Sequence, residues 1–182
     1  MEIKETKLTG VYIIEPNVFS DERGRFVKVF HKDTLQNQGL HFNPQESFYT
    51  VSKKDVIRGM HFQIPPKAYA KVVYCLHGSI IDVVLDLREG SPTYGESVSV
   101  ELSDKNHRAI YIPEGYAHGF RALEDNSTTV YLQETTHSPE HDLGIHMSSF
   151  GMDWSIENPI MSERDKSLPH LKDFKTPFKY KK

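Results

Sequence analysis

Residues 57–63, Ile-Arg-Gly-Met-His-Phe-Gln, set a guanidinium and an imidazole three positions apart around a glycine. Arginine carries a fixed positive charge with a planar donor fork, and histidine takes up and releases protons near neutral pH. Brought to one pocket, Arg58 and His61 would hold an anion and move a proton beside it. In a regular strand, residues 58, 60 and 62 point one way and 57, 59, 61 and 63 the other. Arg58 and His61 therefore share a face only if Gly59 bends or bulges the chain, which glycine in strands often does. The alternative is a half-buried strand with an exposed Arg58 and a His61 at the edge of the core.

The rest of the chain must supply the walls of such a pocket. Leu8, Val11 and Ile13 mark a strand over 7–15, closed by Pro16, and a polar turn at 21–25 leads to a short strand over 26–30. A helical turn is predicted over 33–38, stopped by Gly39, and a strand over 46–51. After Pro65 and Pro66, strands follow at 71–76, 79–87, 96–102, 109–112, 119–123 and 128–136, each closed by Gly, Pro, Asn or Asp. Short strands with turn signals every 8–12 residues indicate an all-β sandwich, barrel or jelly roll in a single domain. Beyond Pro139 the pattern weakens, and 162–168 reads as a peripheral helical turn.

With 182 residues, 37% of them hydrophobic, the chain is long enough for one substantial core. A net charge of −3 offers no electrostatic case for nucleic acid or an anionic membrane. The basic run at 175–182, with four lysines and two aromatics, is expected to be peripheral and frayed. The first residues lack an apolar leader, and no apolar stretch approaches the ~20 residues of a membrane span. The single cysteine, Cys75, lies in an apolar run and reads as a small buried hydrophobe. These features predict a soluble protein of a reducing compartment, the cytoplasm. There is no Gly-rich phosphate loop, paired-cysteine metal motif or G-x-S-x-G elbow.

Six segments in order carry a resemblance. They are 19–26 (Phe-Ser-Asp-Glu-Arg-Gly-Arg-Phe), 57–63, 86–95 (Asp-Leu-Arg-Glu-Gly-Ser-Pro-Thr-Tyr-Gly), 111–120 (Tyr-Ile-Pro-Glu-Gly-Tyr-Ala-His-Gly-Phe), 151–154 (Gly-Met-Asp-Trp) and 158–165 (Asn-Pro-Ile-Met-Ser-Glu-Arg-Asp). Together they resemble the nucleotide-sugar 3,5-epimerase family, cupin-fold enzymes typified by dTDP-4-dehydrorhamnose 3,5-epimerase. The resemblance implies a homodimeric jelly roll acting on a nucleotide-diphosphate 4-keto sugar without metal or cofactor, in deoxysugar biosynthesis for cell-surface polysaccharide. Independently, the predicted barrel strands offer no His-x-His pair. His137 and His141 are separated by Pro139, which disfavours a helix that would align them on a metal.

Inverting a carbon next to a ketone needs a base on one face, an acid on the other and a cation or donor at the carbonyl oxygen. His61 is the candidate base, because an ordinary imidazole near pKa ~6.5 is largely neutral at working pH. By resemblance Asp165 orients it; on sequence alone, Asp165 in Ser-Glu-Arg-Asp also reads as the acidic first turn of a capped helix. Lys71, at the start of an apolar strand, is the candidate partner for the enolate oxygen, with a surface lysine as the alternative. Arg23 and Arg58 resemble the diphosphate and sugar contacts, and Gln45 or Glu46 answers to a polar contact before the catalytic strand. His118 reads either as a substrate contact or as a structural histidine. Trp154 and Tyr116 read as core or rim packing or as base-stacking groups.

One departure stands out. The family usually places its opposite-face acid, a tyrosine, two residues before the proline of a Tyr-x-Pro-Glu segment, and here His137 occupies that position. Three outcomes follow: His137 is the acid, Tyr131 or water delivers the proton, or only one carbon is inverted. The last would make the chain a 3- or 5-mono-epimerase on a related deoxysugar or heptose nucleotide, CDP- or GDP-linked. A cupin that binds a sugar nucleotide without catalysis is the remaining alternative.

Overall fold

A computed structural model describes residues 1–181. The strands are β1 (Glu2–Glu5), β2 (Tyr12–Glu15), β3 (Val18–Asp21), β4 (Gly24–Val27), β5 (Glu46–Ser52), β6 (Ile57–Gln63) and β7 (Lys71–His77). They continue as β8 (Ser79–Asp86), β9 (Ser97–Ser103), β10 (Ala109–Ile112), β11 (Tyr116–Ala122), β12 (Ser127–Gln133) and β13 (Asp142–Gly144). Helix α1 (Lys32–Asn37) and the single turn α2 (Glu163–Lys166) are peripheral. A six-stranded sheet runs β1-β2-β10-β7-β12-β5, and a five-stranded sheet runs β13-β6-β11-β8-β9. All their pairings are antiparallel, and β3–β4 forms a separate hairpin.

The all-β expectation holds, with three revisions to its elements. Residues 7–11 are a turn that buries Leu8 and Val11, and the strand starts only at Tyr12. Strand β1 pairs with β2 from a stretch whose charged residues hid it. The third revision concerns the basic tail, which packs instead of fraying. Thr176 Oγ1 donates to the Leu87 carbonyl at 2.6 Å, Phe178 is buried, and Tyr180 N donates to Glu89 O at 2.9 Å. The two aromatics explain this, because each lysine can reach water while the rings cover apolar surface. Residue 182 of that run lies outside the described residues. Among those described, no helix is long and apolar enough to cross a membrane.

Strand β8 shows how the layers form. Its nearly continuous apolar run has Ile80 and Val84 in the core between the sheets, with Leu102, Ile110 and Phe120. Val83 and Leu85 pack the other way, with Met60, Ile145, Trp154 and Phe178 from β6 and the C-terminal wrap. A strand covered on both faces needs no polar alternation. A third cluster, including Leu35, Phe42 and Tyr111, packs α1 and its following loop against the six-stranded sheet.

The heptad that contains His61 is bulged, the first of the two readings that its sequence left open. His118 pairs with His61 and Phe120 with Arg58, so three steps along β6 match two along β11. Met60 and Phe62 stay buried, while Arg58 and His61 both reach the same cavity. Gly59 has φ +132°, and a Cβ there would lie 2.5 Å from the Cα of Gly119. Backbone strain and overpacking then act together, so Gly59→Ala should destabilise the fold by roughly 3 kcal/mol. A urea unfolding midpoint equal to wild type would show that the two strands can separate at this point.

Candidate active site

The cavity opens between the two sheets and has a volume of about 530 Å³. One wall carries Arg58 and His61 from β6, His118 from β11, Asp142 from β13, and Arg164 and Asp165 from α2. The facing wall carries Glu46, Phe48 and Thr50 from β5, Lys71 from β7, and Tyr131 and Gln133 from β12. Histidine 61 and tyrosine 131 thus come from opposite sheets.

His61 Nε2 lies 2.7 Å from Asp165 Oδ1. The carboxylate can only accept, so the neutral ring carries its proton on Nε2 and leaves the Nδ1 lone pair free. Asp165 is 3% exposed, and its Oδ2 accepts the Gly59 N–H at 3.2 Å. Burial pushes the Asp165 carboxyl upward, but the His61 hydrogen bond, the His61 charge and the Gly59 N–H outweigh it and hold the group below the usual carboxylate range. Both readings of its local sequence are realised. Ser162 caps α2 by accepting the Asp165 N–H at 3.1 Å, while the Asp165 side chain turns inward to the imidazole.

Lys71 is buried, and burial lowers its amine to about 8 against the opposing charges of Asp82 and Asp142. His118 is also buried, with Nε2 2.7 Å from Asp82 Oδ2. Burial outweighs the Asp82 carboxylate and lowers the His118 pKa, so the ring stays neutral. It therefore both lines the cavity and completes a buried pair. Tyr131 is 8% exposed, and burial, then the charge of Asp82, raises its phenol well above the ordinary value. A phenol held protonated in this way remains a proton donor. Arg58 Nε donates to Ser52 Oγ at 3.1 Å, which fixes its guanidinium against β5.

Other residues fall elsewhere. Glu46 enters the cavity, where its Oε2 accepts the His137 N–H at 2.7 Å and the Gln133 amide at 3.1 Å. Gln45 does not, because strand alternation turns it outward, and its amide donates to Asn43 O at 3.1 Å. Trp154 is core packing: its indole N–H donates to Met147 O at 2.9 Å inside the cluster under β8. Tyr116 is likewise core, its hydroxyl donating to Thr9 O at 2.6 Å. Arg23 sits on the exposed β3–β4 hairpin, paired to Asp21, outside this cavity. His137 lies at the mouth, half exposed, with Nδ1 3.9 Å from Asp142 Oδ2. Arg164 meets the same Asp142 oxygen at 2.9 Å. Sequence reasoning missed Asp82, Asp142, Arg164 and Phe48, and also Tyr69, which lines the cavity beside them. Only Asp82 left a signal, as a lone acid inside the apolar run of β8. Among the described residues, no group of three His, Cys, Asp or Glu side chains could hold a metal ion.

Residues 5–173 match the family described as dTDP-4-dehydrorhamnose 3,5-epimerase. The chain belongs to that family. A dTDP-4-dehydrorhamnose 3,5-epimerase from Methanothermobacter thermautotrophicus is 41% identical over 93% of this chain and 94% of its own. The crystal structure of the Legionella pneumophila epimerase in complex with dTDP-4-keto-L-rhamnose superposes with a TM-score of 0.94 at 31% identity, covering 100% of this chain and 99% of that one. A 3'-monoepimerase from Streptomyces bikiniensis, solved as a double mutant with dTDP, has a TM-score of 0.87 at 30% identity over 92% of this chain and 86% of that one. Its two altered residues, a histidine and a tyrosine, stand as far apart in that chain as His61 and Tyr131 do here. Structures of dTDP-4-dehydrorhamnose 3,5-epimerases thus share the jelly roll seen in this chain, and the chain is a nucleotide-sugar epimerase.

The buried lysine of this epimerase gives a stability signature. Its amine titrates near 8 in the fold and near 10.5 when unfolded, so the unfolded chain holds more protons between those values. Stability from this group therefore rises as pH increases across that window, by up to about 3 kcal/mol. In Lys71→Met the rise is absent, and the difference between wild type and variant should change across pH 8 to 10.5. A difference that stays flat in parallel denaturation series would put the amine in water.

Proposed function

We propose that the protein epimerises dTDP-4-dehydro-6-deoxyglucose at both carbons alpha to its ketone. The observation that carries this reading is the pairing of His61 with Asp165 on one cavity wall opposite Tyr131, with Lys71 buried on Tyr131's wall. His61 Nδ1 takes the carbon-bound proton, and Asp165 stabilises the imidazolium that forms. The electron pair moves to the C4 oxygen, where the Lys71 ammonium meets the developing negative charge. Tyr131 returns a proton to the carbon from the opposite face. Each inversion leaves an imidazolium and a phenolate, and exchange with solvent resets both. No metal or organic cofactor has a step in this scheme.

Arg58 is assigned to the diphosphate or sugar, and Glu46 and His118 to the sugar's polar groups. His137 is assigned no proton transfer, since it stands at the mouth. A second reading, inversion at one carbon only, draws on His137 in the usual tyrosine position and on the mono-epimerase among the similar structures. Incubation with the 4-keto sugar nucleotide in D2O separates the readings. Deuterium at C3 and C5 in an inverted product is the expected result, and label at one carbon would favour the second reading. His61→Ala should abolish label at both carbons, and full-rate exchange in that variant would overturn the base assignment. His137→Phe should keep label and inversion at both carbons, with any change confined to KM; loss of inversion there would make His137 the acid.

The reading includes a homodimer. The hairpin β3–β4 exposes Phe19 at 62% and Phe26 at 59%, and the outer side of the six-stranded sheet exposes Tyr49 and Leu76. Exposed aromatic and aliphatic side chains on the hairpin and on this sheet face are the support for the reading. A partner would cover them and carry Arg23 toward the other subunit's diphosphate. Light scattering should give twice the mass of one chain, and a monomer that remains fully active would remove Arg23 from the substrate contacts. The lone thiol, Cys75, buried as a small hydrophobe, supports a cytoplasmic location, and the product is assigned to cell-surface polysaccharide on family grounds.

A further inference from the structure

Phe48 has no core to belong to. It sits on β5, the edge strand of the six-stranded sheet, faces the cavity, and is 40% exposed. None of the three apolar clusters among the described residues includes it. What it does cover is Tyr131. Phe48 is the direct cross-strand partner of Tyr131, and the two rings stack with centroids 4.6 Å apart and planes 14° from parallel. The His118 ring meets Tyr131 edge-on, with centroids 6.0 Å apart and planes at 75°. The phenol is therefore held between a flat face and an edge, both within the range in which aromatic pairs attract. His118 is itself fixed by Asp82. Both sides of this clamp line the cavity, and Phe48, 40% exposed, is its open side, whereas His118 is buried.

A proton donor on the far face of an enolate must hold its O–H on line with one carbon, and small misplacements of a reacting group cost large rate factors. Free rotation or wetting of the phenol would slow delivery from that face. The enolate would then be reprotonated from His61, on the face that lost the proton. We propose that Phe48 is a positioning residue for Tyr131, fixing the phenol so that proton abstraction ends in inversion and not in return to the starting configuration. This rests on the reading of Tyr131 as the opposite-face acid.

The two outcomes are chemically distinct in D2O. Abstraction by His61 followed by exchange of its proton and return from the same face gives deuterium with retained configuration. Delivery from Tyr131 gives deuterium with inverted configuration. The experiment uses the full chain with dTDP-4-dehydro-6-deoxyglucose and measures by NMR the ratio of label in recovered substrate to label in inverted product. Phe48→Ala should raise that ratio by about tenfold and lower kcat for inversion, with KM nearly unchanged. Phe48→Leu keeps apolar bulk but removes the flat face and should shift the ratio in the same direction. Phe48→Tyr restores the stack and should return the ratio to the wild-type value. A folded Phe48→Ala or Phe48→Leu with an unchanged ratio overturns the proposal. So does an effect that appears wholly in KM, which would make Phe48 a substrate contact. Tyr131→Phe in the same assay should raise the ratio further. If it does not, the assignment of the acid fails, whatever the Phe48 variants do.

Discussion

The meeting of β6 and β11 at two glycines constrains everything in the cavity. Gly59 and Gly119 bring the two backbones closer than any side chain would permit, and the extra residue of the bulge is accommodated there. Without that approach, Arg58 and His61 would point to opposite sides of the sheet. With it, the Gly59 N–H is also aimed at the carboxylate that holds the imidazole. A single local distortion thus aligns the cation and the base and helps to bind the base's partner.

Reaction geometry comes from the layers. Two sheets packed face to face offer two walls, and groups on different walls approach a bound sugar from different sides. His61 belongs to one sheet, Tyr131 to the other, and Lys71 rises from β7 beside Tyr131's strand. The chemistry of inversion at a carbon next to a ketone asks for this arrangement, and a sandwich supplies it without any long loop. The cost is a buried ammonium and a buried His118–Asp82 pair, and such groups are held only where surrounding packing is strong enough to offset their desolvation.

Much of this was legible in the residues. Strand composition and turn spacing gave an all-β domain, and the glycine in the heptad left room for the bulge. His61, Asp165, Lys71 and Arg58 all line the same cavity. What was hidden was hidden for physical reasons. Strand β1 is mostly charged because it lies at a sheet edge, where side chains face water. Gln45 and Glu46 differ by one position, and only strand alternation decides which of them faces inward. Phe48 looks like any strand aromatic until its cross-strand partner is known, since pairing register is a long-range property. The aromatics of the basic tail found a groove that local sequence does not reveal.

The C-terminal wrap has a consequence for how the site is built. Every strand of both sheets is complete by Gly144, and of the cavity lining only residues of α2 and its cap come later in the chain. Asp165 lies beyond the strands in the chain, on a single helical turn docked beside β6, in a stretch that also covers the outside of β8. A chain whose barrel has closed but whose wrap has not docked therefore has a pocket with an unpartnered imidazole. The partner of the base thus comes from the outer layer, which ties the chemistry of the cavity to the packing of the C-terminal wrap.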